Sequence, residues 1–139
     1  MKIHTVILAA GEGSRMQSNK AKSLQPVGGL SMLRRIFDTV SNLTDETSFV
    51  VGFEKDSVIN EVEKFSGINH ICEQKKPIGT ADAVKSALDS IKQNSKVLVL
   101  YGDVPLIKNE TLNNLISMTD DSLTILSTEL KDPTGYGRV

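Results

Sequence analysis

The feature that most constrains the fold is a β-branched apolar run, Ile3 to Ile7, which leads directly into Leu8-Ala-Ala-Gly-Glu-Gly-Ser-Arg-Met16. Such a run is typical of a buried strand, and the small residues after it indicate a loop. Alanine and glycine let backbone amides approach a ligand closely, while Arg15, Lys20 and Lys22 add positive charge. Because α/β sheets bind ligands at the carboxyl ends of their strands, the segment predicts a phosphate-binding loop.

Strand and helix patterns alternate along the rest of the chain. Apolar spacing predicts strands over 3–9, 48–51, 68–72, 97–101 and 123–126, and helices with apolar faces within 32–43, 58–65, 83–91 and 112–116. Ser31, Thr80 and Asn109 are candidate helix caps, and Val97 to Tyr101 is predicted to be buried on both faces. The alternation predicts an α/β fold with a mostly parallel sheet covered by helices.

Size, charge and cysteine content exclude several classes of protein. The 139 residues suit one domain, and 16 Lys and Arg against 17 Asp and Glu leave a net charge of -1, which gives no general attraction to nucleic acid or membranes. The chain has no apolar run long enough to span a bilayer and no signal-peptide pattern, so we expect a cytoplasmic protein. Cys72 is predicted to be inert, and His4 and His70 to be strand-edge residues without a metal-binding spacing.

The glycine-rich loop fits neither of two familiar phosphate-binding motifs. A P-loop needs glycine followed by Lys and Ser or Thr, which Gly13-Ser14-Arg15 does not supply. A dinucleotide fingerprint would place its third glycine where Met16 stands. The remaining alternatives are a different phosphate-binding loop, or a surface turn followed by a solvated basic run.

Two further loops carry candidate ligand groups. Asp103 follows the apolar strand at Tyr101-Gly102, where a carboxylate is well placed to hold Mg²⁺ against phosphate oxygens. The alternative is that Asp103 only caps a turn before Pro105. Gly79-Thr80 opens a predicted helix, whose free amides favour anionic groups, although a plain capping turn would have the same sequence.

The motifs taken together resemble the sugar-1-phosphate nucleotidyltransferase family. They are Leu8-Ala-Ala-Gly-x-Gly-x-Arg-Met16, Lys22, Tyr101-Gly-Asp-Val-Pro-Leu106 and Asp132-Pro-Thr-Gly-Tyr-Gly-Arg138, in this order. The last two are most similar to the N-terminal pyrophosphorylase, or uridylyltransferase, domain of the bacterial bifunctional enzymes that make UDP-N-acetylglucosamine. The resemblance implies a Rossmann-like three-layer sandwich of the nucleotide-diphospho-sugar transferase fold. Residues 1–139 would form the N-terminal part of that domain, truncated at its C-terminus.

The resemblance also implies a reaction. It is the Mg²⁺-dependent transfer of UMP from UTP to N-acetylglucosamine-1-phosphate, which yields UDP-N-acetylglucosamine and pyrophosphate. A fragment of this length would turn over poorly, and the full-length protein would be a homotrimer through a further acetyltransferase domain. Two alternatives stay open: a noncatalytic nucleotide-sugar-binding regulatory module, and a nucleotidyltransferase of the same fold that uses CTP or GTP with another phosphorylated substrate.

Roles for individual residues follow from the matched motifs. Arg15 and Lys22 would be catalytic cations on the phosphates, and Asp103 would ligate the Mg²⁺. Gln74 would read the uracil edge, and Gly137 would present its amide to the sugar. The implied substrate-binding residues are Leu8, Ala9, Ala10, Gly11, Lys22, Gln74, Gly79, Thr80, Tyr101, Gly102, Asp103 and Gly137.

The chain departs from the family pattern at three places. Ala21 stands where the family usually has the proline before Lys22, which predicts a looser loop. Ser14 replaces a usual threonine and keeps the hydroxyl. In Gly79-Thr-Ala-Asp-Ala83, Asp82 introduces a carboxylate near the predicted site, where the closest relatives commonly have Gly-Thr-Gly-His.

Overall fold

A four-stranded parallel sheet forms the centre of the computed structural model, which describes residues 1–13, 19–120 and 122–136. The strands of this sheet, in spatial order, are β5 (Asn69–Glu73), β4 (Glu46–Val51), β1 (Lys2–Leu8) and β6 (Ser95–Tyr101). The helices are α1 (Met32–Val40), α2 (Lys55–Val62), α3 (Thr80–Lys85) and α4 (Asn109–Met118). Two-residue strands, β2 (Pro26–Val27) and β3 (Leu30–Ser31), form a small antiparallel hairpin that the sequence patterns did not predict. The predicted α/β class and parallel sheet are confirmed.

Alternate residues of the central strands point to two separate cores. Ile7 and Phe49 belong to the larger core, together with the buried sides of α1, α2 and α4. Val6 and Val50, one position away on the same strands, pack with Ala83 and Ala87 beneath α3 and the turn that follows it. Because strand side chains alternate between faces, this division gives the three layers of the predicted sandwich.

Helix α1 shows how local sequence and core packing agree. Ser31 caps the helix, since its hydroxyl accepts a hydrogen bond of 3.0 Å from the Arg34 amide, as the sequence predicted. The buried face of the helix brings Phe37 against Phe65, with ring centroids 4.5 Å apart, and Phe49 completes the aromatic cluster from the sheet. This packing fixes the helix beneath strands β1 and β4.

The other two predicted caps are wrong. Gly79, with a φ of +131°, occupies the cap of α3, and Thr80 is the first helical residue without a capping bond. The cap of α4 is Lys108; the Asn109 side chain instead donates to the carbonyl of Thr39 at 2.9 Å. In both cases the candidate polar residue lies one position inside the helix, and a shift of this size is within the usual uncertainty of helix boundaries predicted from sequence.

Strand β6 is also not buried on both faces. Leu98 and Leu100 face the larger core, whereas Val97 and Val99 lie on the opposite face, outside the second core, and remain 44% and 38% exposed. The predicted strand over 123–126 is wrong as well, because that segment has no strand pairing and runs along the apolar cleft beside β6. An apolar composition alone does not specify whether a strand is central.

A polar network fills the end of the sheet opposite the carboxyl ends of the strands. His4 is buried in β1, which corrects the predicted strand-edge position, and its Nε2 lies 2.7 Å from the Ser48 hydroxyl. The His4 ring stacks on His70, with centroids 5.8 Å apart. Glu46 bonds both Lys92 and His70, and these contacts lower the pKa of its carboxyl to about 2.

Acidification is expected to destabilise the fold in two stages. Burial lowers the pKa of His4 from its ordinary value of 6.5, so the unfolded chain takes up this proton first and stability falls as the pH drops below that value. Glu46 adds a second loss as the pH falls from 4.5 towards 2, because its stabilising bonds require the ionised carboxyl. Urea unfolding across this pH range measures both stages. His4→Asn should remove the first stage and retain the second. If the free energy of unfolding falls equally steeply in the wild type and in His4→Asn between about pH 7 and about pH 5, the assignment of the first stage to His4 is wrong.

No helix within the described ranges combines the length and the apolar character needed to cross a lipid bilayer.

Candidate functional site

The strand order changes direction at β1. From β1 the chain adds β4 and β5 on one side and then returns to place β6 on the other side. The loops that leave the carboxyl ends of β1 and β6 therefore diverge, and a crevice opens between them. Open α/β sheets bind ligands at this kind of switch point.

The two loops at the switch point are joined through backbone contacts. The amide of Gly102 donates to the carbonyl of Leu8 at 2.8 Å, and the amide of Ala9 donates to Val50 at 2.8 Å. A Cβ at Gly102 would lie 2.7 Å from the Leu8 carbonyl oxygen, so only glycine allows this approach. The small residues after β1 and β6 hold the loops side by side.

Replacing Gly102 with alanine is expected to destabilise the protein by about 1–3 kcal/mol, because the added methyl group forces the two loops apart. The measurement is the free energy of unfolding in urea. Gly11→Ala is the matched control, since a Cβ there meets no atom within 4 Å. We expect that control to change stability by less than about 0.5 kcal/mol, and equal effects of the two substitutions would contradict the close approach.

An open cleft of about 280 Å³ lies above these loops. Most of the predicted substrate-binding residues line it, namely Leu8, Ala9, Ala10, Gly11, Lys22, Gln74, Gly79, Thr80, Tyr101 and Asp103. Gly102 is buried beneath the cleft rather than lining it. Arg15 and Gly137 lie outside the described residues, so their predicted roles stay predictions. Residues far apart in the sequence therefore meet at one site.

Lys22 and Asp103 form an ion pair within the cleft. The Nζ of Lys22 lies 2.5 Å from Oδ2 of Asp103, and the two side chains are 39% and 33% exposed. The stem of Lys22 packs against Gly13, where a Cβ would come within 2.7 Å of the Lys22 Cβ. Ala21 is fully buried with a φ of -49°, close to the value that a proline ring imposes. The backbone before Lys22 thus keeps a proline-like geometry without proline.

Asp103 has the chemistry that a Mg²⁺ ligand requires. Mg²⁺ in proteins is bound by one or two carboxylates, with phosphate oxygens and water completing the shell. Asp103 offers a partly exposed carboxylate beside a cation that suits phosphate, and only Oδ2 is engaged by Lys22 within the described residues. No group of three or more His, Cys, Asp or Glu in the described part of the chain forms a complete metal site. The residues present therefore fit a metal that is shared with a bound triphosphate.

Gln74 enters the cleft from the end of β5. Its backbone amide extends the sheet by donating to Val51 at 2.8 Å. Its side-chain nitrogen donates to the Gly79 carbonyl at 3.2 Å and to Oδ2 of Asp82 at 3.0 Å. Asp82, the carboxylate that departs from the family pattern, is thus bonded to the residue predicted to read the base.

Three further residues line the cleft that the motifs did not indicate: Ser23, Pro77 and Ala83. Ala83 lies on the predicted inner face of α3, so its helical position was a usable signal. The Ser23 hydroxyl is buried and has no hydrogen-bond partner in the described residues. Nothing in the sequence distinguishes Ser23 from an ordinary polar residue after a lysine.

The sheet and the cleft at its switch point define an α/β protein of the nucleotidyltransferase fold. The 4-diphosphocytidyl-2C-methyl-D-erythritol synthase of Anaerococcus prevotii has a similar structure, with a TM-score of 0.67 and 26% identity. The match covers 84% of this chain and 49% of that protein.

The chain belongs to the MobA-like NTP transferase domain family, whose sequence profile matches residues 5–135. Bifunctional protein GlmU of Ruthia magnifica is 46% identical over 99% of this chain, and GlmU of Francisella philomiragia is 44% identical over all of it. The chain spans 30% of the length of these relatives. The resemblance to nucleotidyltransferases that the motifs indicated is confirmed.

Proposed function

We propose that the chain supplies the UTP site of a Mg²⁺-dependent uridylyltransferase that makes UDP-N-acetylglucosamine from UTP and N-acetylglucosamine-1-phosphate. The observation that carries the proposal is the meeting of Lys22 and Asp103 in a cleft lined by Gln74 and the small residues of 8–11. The similarity of the chain to GlmU of Ruthia magnifica, which covers 99% of the chain, supports the choice of substrates.

The reaction needs alignment and charge neutralisation rather than a protein nucleophile. A phosphate oxygen of the sugar phosphate attacks the α-phosphorus of UTP, the bond from that phosphorus to the bridging oxygen breaks, and pyrophosphate leaves. Lys22 would neutralise charge on the α-phosphate, and Arg15 would bind the triphosphate. Asp103 would hold Mg²⁺, which supplies further neutralisation of the phosphate oxygens when it is bound.

The residues of the first loop would hold the nucleotide by its uridine end. Ala9 and Ala10 have small side chains, and Gly11 is exposed at the rim of the cleft, so backbone groups are accessible to a ligand. Gln74 stands on the opposite side and would contact the uracil edge. Together these contacts would place the α-phosphate near Lys22, and positioning of this kind supplies much of the catalysis in phosphoryl and nucleotidyl transfer.

Calorimetric titration of the chain with UTP, with and without Mg²⁺, tests the proposed site. We expect binding that strengthens with Mg²⁺, followed by slow release of pyrophosphate when N-acetylglucosamine-1-phosphate is added. Binding of UTP without any release of pyrophosphate by the full-length protein would support the noncatalytic module instead. If UTP binds neither with nor without Mg²⁺, the proposed site is wrong.

A second candidate function uses the same fold with a different nucleotide. The name of the Anaerococcus prevotii enzyme, a 4-diphosphocytidyl product synthase, indicates cytidylyl chemistry, and that structure shares 26% identity with this chain. A titration with UTP, CTP, GTP and ATP distinguishes the candidates. The uridylyltransferase proposal requires that UTP binds most tightly.

A further inference from the structure

We infer that Asp82 is a positioning residue that fixes the amide of Gln74 and so makes the site select uracil over cytosine. The inference rests on the proposed function, because it assumes that the base lies against Gln74. It concerns a residue that departs from the family pattern and has no assigned role.

The hydrogen bonds of Gln74 allow only one orientation of its amide. Two acceptors, the Gly79 carbonyl and Oδ2 of Asp82, lie 3.2 Å and 3.0 Å from Nε2. An ionised carboxylate and a carbonyl accept hydrogen bonds but cannot donate them. Turning the amide over would therefore place Oε1 against two oxygens and lose both bonds.

This arrangement commits both N–H groups of Nε2 to the protein. Oε1 makes no hydrogen bond with any residue in the described ranges, and Gln74 lines the cleft. The group left for a ligand is consequently an acceptor. Asp82 is held in turn because it lies in the first turn of α3, where Ser86 donates to its backbone carbonyl at 3.0 Å.

An acceptor at this position discriminates between the two pyrimidines. The N3 of uracil carries a hydrogen and can donate to Oε1, whereas the N3 of cytosine carries a lone pair that repels it. A Gln74 amide that was free to turn would donate to cytosine N3 and accept uracil N3–H with similar ease. The discrimination therefore depends on the Asp82 carboxylate, acting with the Gly79 carbonyl, rather than on Gln74 alone.

Asp82→Asn is the direct test. Asparagine has nearly the same shape but can present either a donor or an acceptor to Gln74, so only the Gly79 carbonyl still favours the present orientation of the amide. We expect the ratio of UTP to CTP affinity, measured by calorimetry with Mg²⁺, to fall by about tenfold. Asp89→Asn is the matched control, since Asp89 is exposed on the turn after α3 and does not line the cleft; its ratio should stay unchanged.

A double-mutant cycle separates positioning from a merely structural role. Gln74→Met keeps the length of the side chain and removes its hydrogen bonds, so Asp82→Asn should not alter the affinity ratio further in that background. An equal effect in both backgrounds, or an equal loss of affinity for both nucleotides, would overturn the inference while leaving the UTP site in place. A wild-type chain that binds neither nucleotide would overturn the proposed function and this inference with it.

Discussion

Asp103→Ala is expected to change UTP affinity in opposite directions depending on Mg²⁺. Without metal, the Asp103 carboxylate repels the triphosphate and engages the Nζ of Lys22 at 2.5 Å. Its removal should tighten UTP binding by about threefold to tenfold, since the pair is partly solvated and its energy is modest. With Mg²⁺ present, the same substitution removes the protein ligand for the metal. We then expect weaker binding and a loss of turnover of at least about a hundredfold.

Opposite changes in UTP affinity with and without Mg²⁺ identify the role of Asp103 more sharply than loss of activity alone. A damaged fold would weaken binding under both conditions, whereas loss of a metal ligand weakens it only when metal is present. Calorimetry gives the affinities, and release of pyrophosphate gives the turnover. Asp56→Ala, on an exposed position of α2, is the control and should change neither. Unchanged Mg²⁺ dependence in Asp103→Ala would remove Asp103 from the proposed site.

The parts of the fold that the sequence predicted are those in which local pattern and tertiary packing agree. The alternation of β-branched runs with helical apolar faces predicted a parallel sheet. Ser31 caps α1 because its hydroxyl accepts from the Arg34 amide, and its contact with Glu61 does not compete, since there the hydroxyl donates. Loops after parallel strands must emerge at one edge of the sheet. This rule predicts that the segments after β1, β5 and β6 meet, and it thereby places Gly11, Gln74 and Asp103 at one site; the presence of Lys22 there was indicated by the matched motifs.

The predictions that were wrong depended on neighbours that a local pattern does not specify. Val97 and Val99 would be buried if the second core extended over their face of β6, but within the described residues that core packs only on β1, β4 and β5. Residues 123–126 have strand-like composition, yet a strand forms only when it has a partner. The hydrogen bond between Gln74 and Asp82 also depends on tertiary structure that a local pattern does not specify. Eight positions separate the two residues, and only the turn into α3 brings them together.

Lys22→Met is expected to weaken UTP binding and to lower turnover by at least about a hundredfold. Lys22 is the only cation among the described residues that line the cleft. Methionine keeps the unbranched stem that packs on Gly13 but leaves the Asp103 carboxylate without its partner and facing the triphosphate. The substitution therefore removes an attraction and exposes a repulsion together. Lys75→Met is the control, because Lys75 is exposed near the site and does not line the cleft.

Combining Lys22→Met with Asp103→Ala tests whether the two residues act at one point. In the absence of Mg²⁺ the double variant should bind UTP more tightly than Lys22→Met alone, since it no longer carries the unpaired carboxylate. Without metal, freeing Lys22 contributes to the gain expected from Asp103→Ala in the wild-type background. In the Lys22→Met background that contribution disappears, so the gain should come from relief of repulsion alone and differ in size. Strictly additive effects would mean that Lys22 and Asp103 act on separate ligands, and the proposed triphosphate site would then lose its basis.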